Sequence, residues 1–243
     1  GSLRDVGLLE RHHRGGLHLR WAGEHGWRLA VLRYPRRTEV GSWRTSTQGG
    51  RGAEDGSPRG GFYTQDDSRE VVAYASARHI TVVPEIESPG HARAALAAYP
   101  EFAVGGIAPD GVWTTWGISE DVFSVEEPTI RFLCDVLDEV IALFPSQYIG
   151  TGGDECPKTR WRQDRRTQQR MGELGLENEE HPHAWFIGRL EKPVRSPGRR
   201  IHRWDAILEG GAAGAFGAGT PAASWRAEIP PRVSARRPPA APR

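Results

Sequence analysis

The chain has 243 residues, with 32 Lys and Arg against 31 Asp and Glu, a formal net charge of +1. That balance supplies no global field to draw nucleic acid or an anionic membrane surface, so neither is expected as a partner. Two cysteines, Cys134 and Cys156, exclude a disulfide framework, and their spacing is no metal motif.

Residues 1–16 are rich in Arg, His and Gly, without clear periodicity, and are expected to be poorly structured. Leu17-His18-Leu19 fits a short strand. Residues 45–61 carry Gly, Ser, Arg and Pro and read as a loop. A helix is expected from about Gln65 to Arg78, with Thr64 as N-cap and Asp66 and Asp67 in the first turn, where negative charge suits the dipole. Residues 80–87, Ile-Thr-Val-Val-Pro-Glu-Ile-Glu, read as a buried strand. Pro84 cannot donate to a ladder, so a bulge or strand end is expected near Glu85. Pro89-Gly90-His91 turns into a short Ala-rich helix ending at Tyr99-Pro100.

The clearest helix runs from Thr129 to Phe144. Ile130, Leu133, Val136, Leu137, Val140, Ile141 and Phe144 keep the i, i+3, i+4 spacing. Cys134 is a packed thiol on it, and Pro145 ends it. A short strand near 147–152 follows. Residues 157–182 are polar and fit helical turns. A helix from His183 to Lys192 is stopped by Pro193. Strands are expected at 199–204 and, weakly, at 222–225. The tail, 227–243, holds five prolines and little apolar periodicity, and is expected to be disordered. Strands alternating with helices argue for a parallel α/β sheet. Five strands are fewer than the eight of a closed barrel, which typically needs about 250 residues.

The most informative stretch is Ile149-Gly-Thr-Gly-Gly-Asp-Glu-Cys156. Asp154 and Glu155 follow a Gly-Gly pair at the end of a strand. In a (β/α) barrel that end carries the chemistry, and paired carboxylates can share acid and stabilising roles in glycosidic cleavage. On these residues alone, a Gly-Gly-Asp turn with a solvated acid pair fits equally well. Cys156 sits beside the acids and is expected to be buried. Nine tryptophans offer core filling or flat faces for a sugar. No run of about 18 apolar residues is present, so no membrane-spanning helix is expected. No signal-peptide pattern opens the chain.

Further segments carry a resemblance. Tyr34-Pro-Arg-Arg-Thr-Glu-Val-Gly41, Gly61-Phe-Tyr-Thr-Gln65, Val82-Val-Pro-Glu-Ile-Glu-Ser-Pro-Gly-His91, Phe144-Pro-Ser-Gln-Tyr-Ile149, Gly152-Gly-Asp-Glu-Cys156, Trp204-Asp205 and Ser224-Trp-Arg226 resemble, in order, segments of glycoside hydrolase family 20, the β-N-acetylhexosaminidases. The likeness covers about 17–226 and implies a partial or incomplete (β/α)8 TIM barrel, an α/β fold.

The resemblance also implies substrate-assisted retention, an exception to the two-carboxylate scheme. Glu155 is the implied acid/base, and Asp154 the acceptor of the substrate's acetamido N–H. His91 lies near the acid, while Trp204 and Trp225 wall the N-acetyl pocket. Asp205 and Glu85 are weaker candidates, and Trp116 lies on a loop that edges the site. Implied substrates are glycans ending in N-acetylglucosamine or N-acetylgalactosamine, without cofactor or metal, and the parent protein is implied to be exported, periplasmic or lysosomal.

The sequence also departs from the family. Arg20-Trp-Ala-Gly-Glu-His25 replaces the usual His-Leu-Thr-Asp-Asp-Gln, leaving Glu24 as a single acid to partner His91. Gly150-Thr151 replaces a usual His-Ile. The first-strand arginine that grips sugar hydroxyls has no counterpart in 1–16, and the later Tyr and Asp contacting the acetamido group are absent. Two other readings therefore stand beside an active hydrolase. One is an inactive truncated or decayed relative. The other is a metal site from Asp154, Glu155, His91 and Cys156, which rests on residue types alone.

Overall fold

The computed structural model describes residues 9–12, 16–23, 26–44, 58–114, 117–176, 180–195, 198–204 and 222–223. The elements, in chain order, begin with β1 (Leu9–His12), β2 (Gly16–Gly23) and β3 (Gly26–Trp27). The short α1 (Arg36–Glu39) precedes a small hairpin of β4 (Trp43–Arg44) and β5 (Arg59–Gly60). Then come α2 (Gln65–Ser76), β6 (Thr81–Ile86), α3 (Arg93–Ala98), α4 (Glu127–Leu143) and β7 (Tyr148–Gly150). The remainder is α5 (Thr159–Gln163), α6 (Arg165–Glu173), α7 (Glu180–Arg195), β8 (Arg200–Trp204) and β9 (Ala222–Ala223).

Five strands, β2-β6-β7-β8-β9, pair in chain order and every link is parallel. β1 and β3 add to β2 antiparallel. Sequential parallel strands with helices between them are how a (β/α) barrel is built, and among the described residues this sheet is an open arc of one. β1 is a strand with no periodic signal in its sequence. The expected tail at 227–243 lies outside the described residues.

Thr64 caps α2 as expected. Its hydroxyl accepts from the Asp67 N–H at 3.1 Å, and the Asp67 carboxylate accepts from the Thr64 N–H at 2.8 Å, a reciprocal capping box. The irregularity expected near Glu85 is present: the β2–β6 ladder runs through Leu19↔Pro84 to Arg20↔Glu85 and then shifts register, Ala22 pairing with Ile86, where β6 ends. The β7 ladder registers at Glu85↔Gly150, one residue past the proline. Pro193 is a correction. It sits inside the last turn of α7, which reaches Arg195, where a missing N–H costs a single helical bond.

The core is made where α4 packs on α7 and both cover the strands. Ile130, Phe132, Leu133, Val136, Leu137, Val140 and Phe144 are buried with Phe186, Ile187, Leu190 and Val194 of α7 and with Val82, Ile86, Ile149 and Ile201 of the sheet. Ile141, expected inside, is only half-buried. Cys134 is half-buried against this core, and desolvation raises its thiol pKa. A smaller cluster of Val104, Val122, Val125, Cys156 and Trp161 lies behind the loop that follows β7.

Candidate active site

The acid pair is placed by β7. Thr151 continues the strand's bonding beyond its end: its N–H donates to His202 O at 3.0 Å, and its carbonyl accepts from the Ser88 N–H at 3.1 Å. Next, the Trp204 N–H donates to Gly152 O at 3.1 Å. The segment between β7 and Asp154 is thus laced to β8 on one side and to the end of β6 on the other.

Two glycines make this approach possible. A Cβ on Gly152 would stand 1.9 Å from Glu87 Oε2, and its φ of +69° suits glycine. A Cβ on Gly150 would stand 2.9 Å from the Glu85 Cβ. Gly150, a departure from the family pattern, therefore leaves room for the Glu85 side chain of the neighbouring strand.

Asp154 is buried and Glu155 is partly open, its side chain one-third exposed. His91, buried on the loop after β6, brings Nε2 to 3.6 Å from Glu155 Oε2 and 3.8 Å from Asp154 Oδ2. His91 and Glu155 both adopt left-handed backbone, φ +49° and +45°. Non-glycine residues hold such conformations at a cost of order 1–3 kcal/mol each, only where the surroundings fix them. Behind Glu155, Cys156 is buried as expected and packs in the Trp161 cluster, and Trp161 Nε1 donates to Phe123 O at 3.0 Å.

Trp204 ends β8, where strand-end reasoning puts it, but it is 2 % exposed and its indole N–H points to Glu85 Oε1 at 3.4 Å. Glu85 and Glu87 are both buried. Sequence reasoning gave Glu85 little weight and Glu87 none. The signal was the alternation Val-Pro-Glu-Ile-Glu, which sets two acids on one face of a buried strand. Trp225, Asp205, Trp116 and Glu24 lie outside the described residues.

The donor atoms of His91, Asp154 and Glu155 lie within 4.8 Å of one another, a set able to hold a divalent cation. Cys156 is not part of it; its Sγ faces Pro157 O at 3.8 Å. One imidazole and two carboxylates this close also form a proton-handling group: one acid partly open to solvent, one enclosed, and a base between them.

Further along, Lys158 Nζ meets His183 Nδ1 of α7 at 3.4 Å. Burial, followed by the Lys158 charge, pushes the His183 pKa down to about 3, so the ring is neutral at ordinary pH.

Comparison with known proteins gives the family of the chain. Residues 9–235 match the family described as glycosyl hydrolase family 20, catalytic domain. The chain is 45% identical over 211 residues to a beta-hexosaminidase of Porphyromonas gingivalis, a match covering 84% of this chain and 25% of that protein. It superposes on a crystal structure of a beta-N-acetylhexosaminidase with a TM-score of 0.75 at 32% identity, over 83% of this chain and 41% of that one. A Vibrio harveyi exo beta-N-acetylglucosaminidase, solved in complex with N-acetylglucosamine, superposes with a TM-score of 0.71 at 28% identity, over 88% of this chain and 34% of the other. The chain thus spans a quarter to about two-fifths of the length of these relatives, and its open sheet is part of a TIM barrel. With the family model matching nearly its whole length, the chain belongs to glycosyl hydrolase family 20.

Proposed function

We propose that this chain carries the acid-bearing part of an exo-β-N-acetylhexosaminidase, which removes terminal β-linked N-acetylhexosamine by substrate-assisted retention. The observation that carries the reading is the Asp154-Glu155 pair at the C-terminal lip of β7, with His91 Nε2 3.6 Å from Glu155. The names of the relatives, and the N-acetylglucosamine held by the Vibrio harveyi enzyme, support the substrate class.

In this mechanism the carbonyl oxygen of the substrate's 2-acetamido group attacks C1 while the C1–O glycosidic bond breaks. Glu155, the more exposed acid, gives its proton to the departing oxygen. The product of this step is a bicyclic oxazolinium bearing a positive charge. Asp154, enclosed and negative, accepts the acetamido N–H and stabilises that charge where water is excluded. Glu155, now ionised, takes a proton from water, whose oxygen adds to C1 and restores the acetamide. Two displacements at C1 retain the β configuration. His91 holds its Nε2 beside both carboxylates. Trp204, with its N–H on Glu85, forms part of the wall beneath the sugar.

A second reading follows from the open sheet. The described parallel strands run from β2 to β9 without closing. The chain on its own is then slow, with a turnover below the ~10 s⁻¹ median of enzymes.

Release of nitrophenol from the aryl β-N-acetylglucosaminide and β-N-acetylgalactosaminide, with NMR of the first-formed sugar, tests both readings. Slow release of the β anomer is expected. The α anomer as first product would sink substrate assistance. Asp154→Asn should lower kcat about 100- to 1000-fold, as loss of one oxyanion-hole donor does elsewhere.

A further inference from the structure

His91 and Glu155 lie on different loops, one after β6 and one after β7, and both hold strained backbone. Something beyond the sheet must keep these loops in register. Asp121 is buried on the segment before α4, and its two carboxylate oxygens face in different directions. Oδ2 accepts from Arg93 NH1 at 2.9 Å and from the Ser119 hydroxyl at 3.1 Å. Oδ1 accepts from Arg160 NH2 at 2.8 Å.

Arg93 opens α3, two residues after His91, and Arg160 lies in α5, five residues after Glu155. Arg93 is itself fixed: Nε donates to Gly111 O at 2.9 Å, NH2 binds Asp110, and Trp113 lies beneath the guanidinium at 4.7 Å. Charge-assisted bonds to a buried carboxylate are the strong kind. A single carboxylate here spans the distal ends of both loops.

We propose that Asp121 is a positioning residue that holds the His91 loop against the Glu155 loop. Its kinetic consequence rests on the hydrolase reading above; its structural consequence does not. Through the Asp121 carboxylate the Arg93 and Arg160 guanidiniums share one acceptor, and the two loops move as a unit. Without it the guanidiniums repel and the loops separate, so the 3.6 Å approach of His91 to Glu155 is lost.

The test uses the full chain, with the near-isosteric Asp121→Asn and the conservative Asp121→Glu. Hydrogen exchange in Asp121→Asn should quicken about tenfold or more in peptides covering 88–93 and 152–160 together, while α4 keeps its protection. Asp121→Glu should restore part of that protection. On aryl β-N-acetylglucosaminide, kcat should fall about 10- to 100-fold with KM within about threefold, the mark of misplaced groups rather than lost binding. Arg160→Met, at the more exposed arm, serves if Asp121→Asn does not fold, and should loosen 152–160. Faster exchange confined to the 107–120 segment, or an unchanged kcat in a loosened variant, would overturn the proposal. An inactive wild type would count against the hydrolase reading, and the exchange pattern alone would then decide whether Asp121 couples the loops.

Discussion

The layer of α4 and α7 and the lip of β6, β7 and β8 are built on opposite principles. The helical layer buries Phe132, Leu133, Val136, Leu137 and Phe186 in regular spacing. The lip buries Glu85, Glu87, Ser88, His91, Thr151 and Asp154, with two non-glycine residues in left-handed backbone. Apolar burial stabilises roughly in proportion to area, whereas buried carboxylates and strained backbone cost free energy. The stability of this domain therefore resides in the helices, and the lip is held in an unfavourable arrangement by what surrounds it.

Substitution on each side separates the two roles. Phe132→Ala, in the aromatic cluster where Phe132 stacks on Phe102 and meets Tyr34 edge-on and Tyr99 at a tilt, should cost about 3–5 kcal/mol in denaturant unfolding, leaving the chemistry of folded molecules unaffected. A cost below about 1 kcal/mol would mean that the helical layer is not the main support. Gly152→Ala breaks the lip, because its Cβ meets Glu87 and its φ is positive. It should lower stability by about 1–3 kcal/mol and remove activity as well. Full activity in that variant would show that Glu87 is free to retreat.

Acid sharpens the comparison. His183 titrates near 6.5 in the unfolded chain and at about 3 when folded. Below pH 6.5 the unfolded state binds a proton that the buried ring refuses until about pH 3. Stability should fall through that window by on the order of a few kcal/mol. His183→Asn should flatten this slope in pH-dependent melts, and an equally steep slope would assign it to other groups.

One effect runs in the opposite direction. Arg37 of α1 is fully buried, its guanidinium 3.0 Å from the Trp27 ring centre and 5.5 Å from Phe132 of α4, with no hydrogen-bond partner among the described residues. Desolvation holds its pKa well below the arginine range. Arg37→Met should raise stability by about 1–3 kcal/mol, seen as a higher melting temperature. A lower one would reveal an acceptor for that charge.

What was legible in the sequence follows the same division. α4 announced itself because apolar residues recur every three or four positions, β6 because a β-branched run meets turn residues, β7 because Tyr148-Ile149 follows Pro145, and β8 because it follows Gly198. Asp154-Glu155 stood out by its Gly-Gly lead. The lip's internal bonding did not. The arginine partners of Asp121 lie 28 and 39 residues away, and the indole of Trp204 reaches Glu85 across 119 residues. Local pattern carries no record of such pairings. Pro193 misled because proline's missing N–H matters only where a helical turn needs it, and in the last turn of α7 the loss is slight.

The central claim is that Glu155 moves the proton. It is tested most directly by comparing wild type and Glu155→Gln, purified identically, for release of nitrophenol from nitrophenyl β-N-acetylglucosaminide. The amide fills the same space and carries no transferable proton. The account predicts wild-type release above the uncatalysed rate, a fall of about 100-fold or more in the variant, and melting temperatures alike within about 2 °C. Equal rates in two equally folded proteins would contradict it.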